Sequence, residues 1–143
     1  MKRVIDTNVL IAGLIRDSTV RKILISKKFQ FFLPEDALEE IEKYRIELTA
    51  KSGYTKEEFG KLRDLLLDSI TLVSKAEIKP YLEKAEEIMK DIDIKDSSFV
   101  ATALAINADG IWSFDDHFNK QKEIKIYGVK DLLDEIEEED YME

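Results

Sequence analysis

Short apolar runs alternate along this chain with longer stretches in which apolar residues recur every three or four positions. The first run, Val4-Ile5, closes on Asp6. Asn8 then offers a helix N-cap for a segment carrying Val9, Leu10, Ile11, Leu14 and Ile15, and Ser18 or Thr19 can cap a second helix through Val20, Ile23 and Leu24. Residues 29–33 form a β-rich run closed by Pro34, and residues 35–48 return to helical spacing through Leu38, Ile41 and Leu48. After a turn at Ser52-Gly53, Thr55 and Glu58 have the spacing of a capping box ahead of Phe59, Leu62 and Leu66. A strand at 70–73 leads to a helix at 79–89, with Pro80 tolerated in its first turn, and to an Ala-rich helix at 96–106. Residues 110–114 and 125–127 complete the strands, and residues 129–138 form a last helix.

The strands are short and continuously apolar, and helices separate them. That combination predicts a parallel sheet covered on both faces. The expected fold class is α/β: a three-layer α/β/α doubly wound sandwich with a mostly parallel sheet of about five strands. No repeat or linker divides the chain. One domain over 1–133 is expected, followed by an acidic tail at 134–143.

That tail changes the reading of charge. The formal net charge is −9, whereas a nucleic-acid enzyme ordinarily shows a basic footprint. Residues 134–143 hold seven acids and no base, and without them 24 acids face 22 bases, a net of −2. The body is close to neutral, and Arg16, Arg21, Lys22, Lys43 and Arg45 are candidate phosphate contacts. No apolar run approaches the roughly 18–20 residues that span a bilayer, no secretory leader is visible, and there is no cysteine. A soluble, cytoplasmic protein with no membrane association is expected. Disulfides and thiolate metal sites are excluded.

The chemistry follows from strand ends. Ligands of open parallel sheets bind beyond the carboxyl ends of the strands. Two runs end in Asp, Val4-Ile5-Asp6 and Trp112-Ser113-Phe114-Asp115, so both carboxylates fall on one rim. Asp96 opens a helix near that rim, and the helix with Glu39, Glu40 and Glu42 can add a fourth acid. Carboxylates crowded together repel one another, and a hard divalent cation reverses the repulsion. Such an ion lowers the pKa of a coordinated water and stabilises charge on a phosphoryl oxygen. With a single histidine, His117, paired-histidine hydrolysis is excluded. His117 itself is read as a loop residue, and Trp112 and Phe114 as core. The missing Asp at the end of the third strand, Ile70-Thr71-Leu72-Val73, argues against a phosphoacceptor receiver domain. The absence of Asp-X-Asp-X-Thr at Asp6 argues against a haloacid-dehalogenase-type hydrolase.

Four motifs in order resemble the PIN-domain family of metal-dependent nucleases, which includes the VapC-type toxins. Val4-Ile5-Asp6-Thr7-Asn8 matches the opening strand, and Leu33-Pro34-Glu35-Asp36-Ala37-Leu38-Glu39-Glu40 matches the second motif in a register that selects Glu40. Asp93-Ile94-Lys95-Asp96 ahead of the Ala-rich helix matches the third, and Ser113-Phe114-Asp115 the fourth, with Ser113 where many members carry Thr. The resemblance implies that Asp6, Glu40, Asp96 and Asp115 are the catalytic residues and hold one or two Mg²⁺ or Mn²⁺ ions. It also implies that Thr7, Asn8, Ser113 and Asp93 orient them. The implied substrate is RNA, the implied partner a protein antitoxin, and a homodimer is expected. A VapBC-type toxin is the leading reading. A housekeeping RNA-processing nuclease or a non-cleaving PIN-like binding domain are the alternatives.

Overall fold

The computed structural model describes residues 1–15 and 17–142, with side chains for 1–15 and 17–138; Arg16, one of the candidate phosphate contacts, lies outside them. Five strands form one sheet: β1 (Lys2–Ile5), β2 (Gln30–Pro34), β3 (Ile70–Val73), β4 (Gly110–Trp112) and β5 (Ile126–Tyr127). Their order is β3-β2-β1-β4-β5, and every pairing is parallel. The chain winds outward from β1 to β3, returns to the other side of β1, and winds outward again through β4 and β5. The reversal falls between β1 and β4, which makes the crevice above that pair the topological switch point.

The helices are α1 (Thr7–Ile15), α2 (Ser18–Leu24), α3 (Glu35–Lys43), α4 (Arg45–Ser52), α5 (Lys56–Asp68), α6 (Lys75–Ile78), α7 (Leu82–Met89), α8 (Ser97–Ala105) and α9 (Val129–Met142). Both sheet faces are covered. Val4, Ile5, Phe31, Leu33, Ile111 and Trp112 are buried with Val9, Leu10, Leu14, Leu66 and Val100 in one core. Continuous apolar strands are the sequence counterpart of burial on both sides.

Several expectations change in detail. Asp17, not Ser18 or Thr19, caps α2, its carboxylate accepting from the Thr19 and Val20 amides. Helix α1 begins at Thr7, so Asn8 is inside it, and the Asp6 carboxylate accepts the Asn8 amide in the role of a cap. The 35–48 helix is two helices divided at Tyr44, and the 79–89 helix is preceded by α6 and a 3₁₀ turn at Lys79–Tyr81. Strand β4 stops at Trp112, so Phe114 lies beyond the covered sheet and is 45% exposed rather than core. The Thr55–Glu58 capping box forms as the spacing predicts. Gly53, at φ 76°, ends α4 in the left-handed region that favours glycine.

The acidic C-terminal segment begins inside α9 and is anchored there. Arg3 is 1% exposed; it donates to both oxygens of Glu135 at 2.7 and 2.9 Å and to Asp109 at 3.0 Å, and its guanidinium lies 4.1 Å from the Tyr127 ring centroid. No described helix is long and apolar enough to cross a membrane.

Candidate metal centre

Strand β1 delivers Asp6 to the rim at the switch point, where its side chain is 5% exposed. Its two oxygens are held separately. Oδ1 accepts the Asn8 amide at 2.7 Å, and Oδ2 accepts the Ser113 hydroxyl at 2.7 Å. The Ser113 oxygen in turn accepts the Asp115 amide at 3.0 Å. One hydroxyl thus joins the ends of β1 and β4, the strands on either side of the chain reversal. Each oxygen of a carboxylate has two lone-pair directions, so this pattern leaves one on each Asp6 oxygen.

Asp6 opens onto a cleft of about 770 Å³. Glu40, Asp96 and Asp115 line the same cleft, as do Thr7, Asn8 and Asp93. Among the described residues, no lysine or arginine pairs with Asp6, Asp96 or Asp115. A nearly buried carboxylate with only neutral donors leaves a site short of positive charge, and the donor set is all oxygen apart from one imidazole. Both properties fit a hard divalent cation.

The acids of α3 sort themselves by their partners. Lys75 pairs with Asp36 at 3.1 Å and Glu39 at 3.5 Å, and its amide donates to Glu35. Glu42 pairs with Arg63 and, at 3.9 Å, with Arg45. Glu40 has no ion pair among the described residues and lines the cleft. Tertiary pairing therefore leaves available the glutamate that the motif register selects. Of the candidate phosphate contacts, Arg21 is committed elsewhere: it donates to the Gly13 carbonyl and, at 2.8 Å, to the Tyr54 hydroxyl. Lys51 and Lys95 do line the cleft, although neither stands out in the sequence.

Beyond β4, a 3₁₀ turn at Asp116–Lys120 brings His117 against Asp96 and Asp115. His117 Nε2 lies 2.6 Å from Asp96 Oδ2, and Nδ1 lies 3.5 Å from Asp115 Oδ1. Asp93, Asp96 and His117 each offer a ligand atom within 4.8 Å of the other two. His117 is therefore part of the acidic cluster and not a bystander in a loop. Its one sequence signal is position, two residues beyond Asp115. Asp93 caps the turn before α8 by accepting the Lys95 amide. Burial pushes the Asp96 carboxyl above its ordinary value; the hydrogen bond to His117 opposes that shift, and the charges of Asp93 and Asp6 reinforce it.

An all-parallel doubly wound sheet with carboxylates gathered over its switch point defines a class of α/β protein built around an acidic, metal-type cleft. The family model for the PIN domain matches residues 4–138, and the chain belongs to that family. Among curated proteins no sequence matches. Solved structures share the fold, among them the following two. One is VapBC2 from Rickettsia felis bound to a promoter DNA fragment, with a TM-score of 0.68 and 15% identity over 90% of this chain and 98% of that one. The other is a toxin–antitoxin complex from Klebsiella pneumoniae, with a TM-score of 0.57 and 15% identity over 80% and 87%. At such identity the likeness establishes the fold alone.

Proposed function

We propose that this chain is a divalent-metal-dependent endoribonuclease and the toxin of a toxin–antitoxin pair. The observation that carries the nuclease reading is Asp6: a carboxylate 5% exposed, without a cationic partner among the described residues, sharing one cleft with Glu40, Asp96 and Asp115. Membership of the PIN family supports hydrolysis of nucleic acid. The toxin reading is supported by the assemblies in which the two structural neighbours were solved.

Asp6, Asp96, Asp115 and Glu40 would hold one or two Mg²⁺ or Mn²⁺ ions, which when bound supply an activated water and stabilise charge on a phosphoryl oxygen. The chain's own residues set the geometry. Ser113 and the Asn8 amide fix the plane of the Asp6 carboxylate, and Ser113 holds the Asp115 backbone beside it. Outer partners of this kind orient ligands before any ion arrives. Lys95 would supply positive charge where an RNA backbone enters, and Lys51, paired with Glu47 at 3.6 Å, would have to exchange that partner for phosphate.

The test is cleavage of an RNA panel with Mg²⁺ or Mn²⁺, with EDTA and Asp6→Asn as controls, alongside thermal melts. Wild-type protein should cut only with metal, and Asp6→Asn should remain folded and not cut. An ion at a hundred times its Kd stabilises the fold by about 2.7 kcal/mol, so the wild-type melt should rise with metal and the Asp6→Asn melt should not. Full cleavage by Asp6→Asn, or cleavage in EDTA, refutes the assignment. Metal binding without cleavage of any RNA would leave a binding domain. For the toxin reading, expression of wild-type protein should arrest growth and Asp6→Asn should not.

A further inference from the structure

We propose that His117 is a direct ligand of the cation in this cleft and biases the site towards Mn²⁺ over Mg²⁺. The inference rests on the metal-binding reading above and extends it to a residue outside the four acidic motifs.

The first observation is reach. Ligand atoms of Asp93, Asp96 and His117 lie within 4.8 Å of one another. Donors around one ion at about 2.0–2.1 Å stand roughly 3 Å apart when adjacent and about 4 Å apart when opposite. The three atoms therefore need shifts of only about an ångström, the 2.6 Å contact between His117 and Asp96 opening and any longer separation closing, which side-chain rotation can supply. The second is orientation. The His117 ring stacks at 4.7 Å on Phe118, which is fully buried, so the ring plane is set by the core. The third is the proton. Nε2 faces the Asp96 carboxylate at 2.6 Å, so ligation through Nε2 requires the cation to take the place of that ring hydrogen and a neutral imidazole to carry its hydrogen on Nδ1, where the Asp115 oxygen lies 3.5 Å away. A carboxylate on the other ring nitrogen is the usual device for fixing that tautomer and raising ligand basicity.

The consequence is selectivity. Mg²⁺ prefers oxygen and water almost exclusively, whereas an imidazole nitrogen suits the transition metals. Four carboxylates alone would not discriminate in this way. Replacing His117 should therefore weaken Mn²⁺ binding by about ten-fold, the lower end of what loss of a metal-site partner costs, and change Mg²⁺ binding by less than about three-fold.

Because the chain has a single histidine, the experiment can be done on unaltered protein. Pulsed EPR of bound Mn²⁺ should show a directly coordinated nitrogen, and its hyperfine pattern should convert from ¹⁴N to ¹⁵N when histidine alone is ¹⁵N-labelled. Calorimetric titration with Mn²⁺ and with Mg²⁺ on wild-type and His117→Gln proteins gives the selectivity. Bound Mn²⁺ that is lost in Asp6→Asn but shows no histidine nitrogen coupling overturns the role of His117 and leaves the carboxylate site standing. Equal loss of both metals in His117→Gln overturns the selectivity. Failure of wild-type protein to bind either ion overturns both this inference and the metal-dependent reading beneath it.

Discussion

The hydroxyl of Ser113 is where the proposed site and the fold's stability meet, and Ser113→Ala isolates it. Ser113 is 5% exposed and makes two hydrogen bonds, donating to Asp6 Oδ2 and accepting from the Asp115 amide. Alanine removes both. Asp115 is half-exposed, so water recovers its amide at little cost. Asp6 is not so placed: it keeps the Asn8 amide on one oxygen and loses the only hydroxyl on the other, in a position water reaches poorly. A hydrogen bond to a charged group contributes roughly 1.5–3 kcal/mol, so the variant should lose about 2 kcal/mol. With a urea dependence of about 1–3 kcal/mol per molar, the unfolding midpoint of the metal-free protein should fall by about 1 M. The freed carboxylate must also be ordered again when an ion binds, so Mn²⁺ affinity should fall about ten-fold. Urea unfolding followed by the buried Trp112 reads the first effect and calorimetry the second. Ser113→Thr keeps the hydroxyl and should restore most of both. If Ser113→Ala unfolds within about 0.5 kcal/mol of wild type, the span of an unremarkable surface change, and binds Mn²⁺ as tightly, the hydroxyl does not organise the site.

Two further predictions test the other acids. Glu40→Gln should abolish cleavage with no change in the melt, whereas Glu39→Gln should leave cleavage intact, because Glu39 is engaged by Lys75; RNA assays on the two variants decide the register, and the reverse pattern would move the site by one residue. Asp96, held above its ordinary value by burial, contributes stability that is complete below the unfolded-state value and is lost as pH rises through the folded-state one. Metal-free Asp96→Asn should therefore be more stable than wild type at pH 7, with the gap closing as pH falls towards 4. A gap that is constant across that range in parallel urea titrations would show that Asp96 titrates as it does in the unfolded chain.

Much of the fold was legible because its signals are local. Apolar runs such as Val4-Ile5 become strands buried on both faces, and the Thr55–Glu58 box starts α5 without help from the rest of the molecule. The places where the sequence misleads are settled by contacts distant along the chain. Leu38, Ile41 and Leu48 share one helical period, yet the backbone breaks at Tyr44. Asp6 reads as a strand end with Asn8 as the cap, but the carboxylate satisfies the helix itself, so one residue serves the helix start and the cleft together. Glu39, Glu40 and Glu42 are indistinguishable by spacing; Lys75 and Arg63, at 36 and 21 residues' remove, engage two of them. His117 joins Asp96 across 21 residues, a contact no periodicity reports.

The distribution of charge along the sheet bears on how an acidic chain can meet RNA. Arg3 and Asp6 are three residues apart on and just beyond β1, which at about 3.3 Å per residue separates them by roughly 10 Å. Helix α9 leaves the rim end of β5 and brings Glu135 to Arg3, at the opposite end of the sheet. The turn that carries Glu135 is thus directed away from the cleft. Charges separated by more than a Debye length, about 8 Å at physiological ionic strength, are largely screened from each other. The −9 of the whole chain is therefore a poor guide to the cleft, where the lining groups are Asp6, Asp36, Glu40, Glu47, Asp93, Asp96 and Asp115 against Lys51 and Lys95, with Lys51 paired to Glu47. That local balance remains negative. In the proposed enzyme a bound cation would have to admit the phosphate backbone as well as support hydrolysis, so RNA affinity and turnover should both fall when metal is withdrawn.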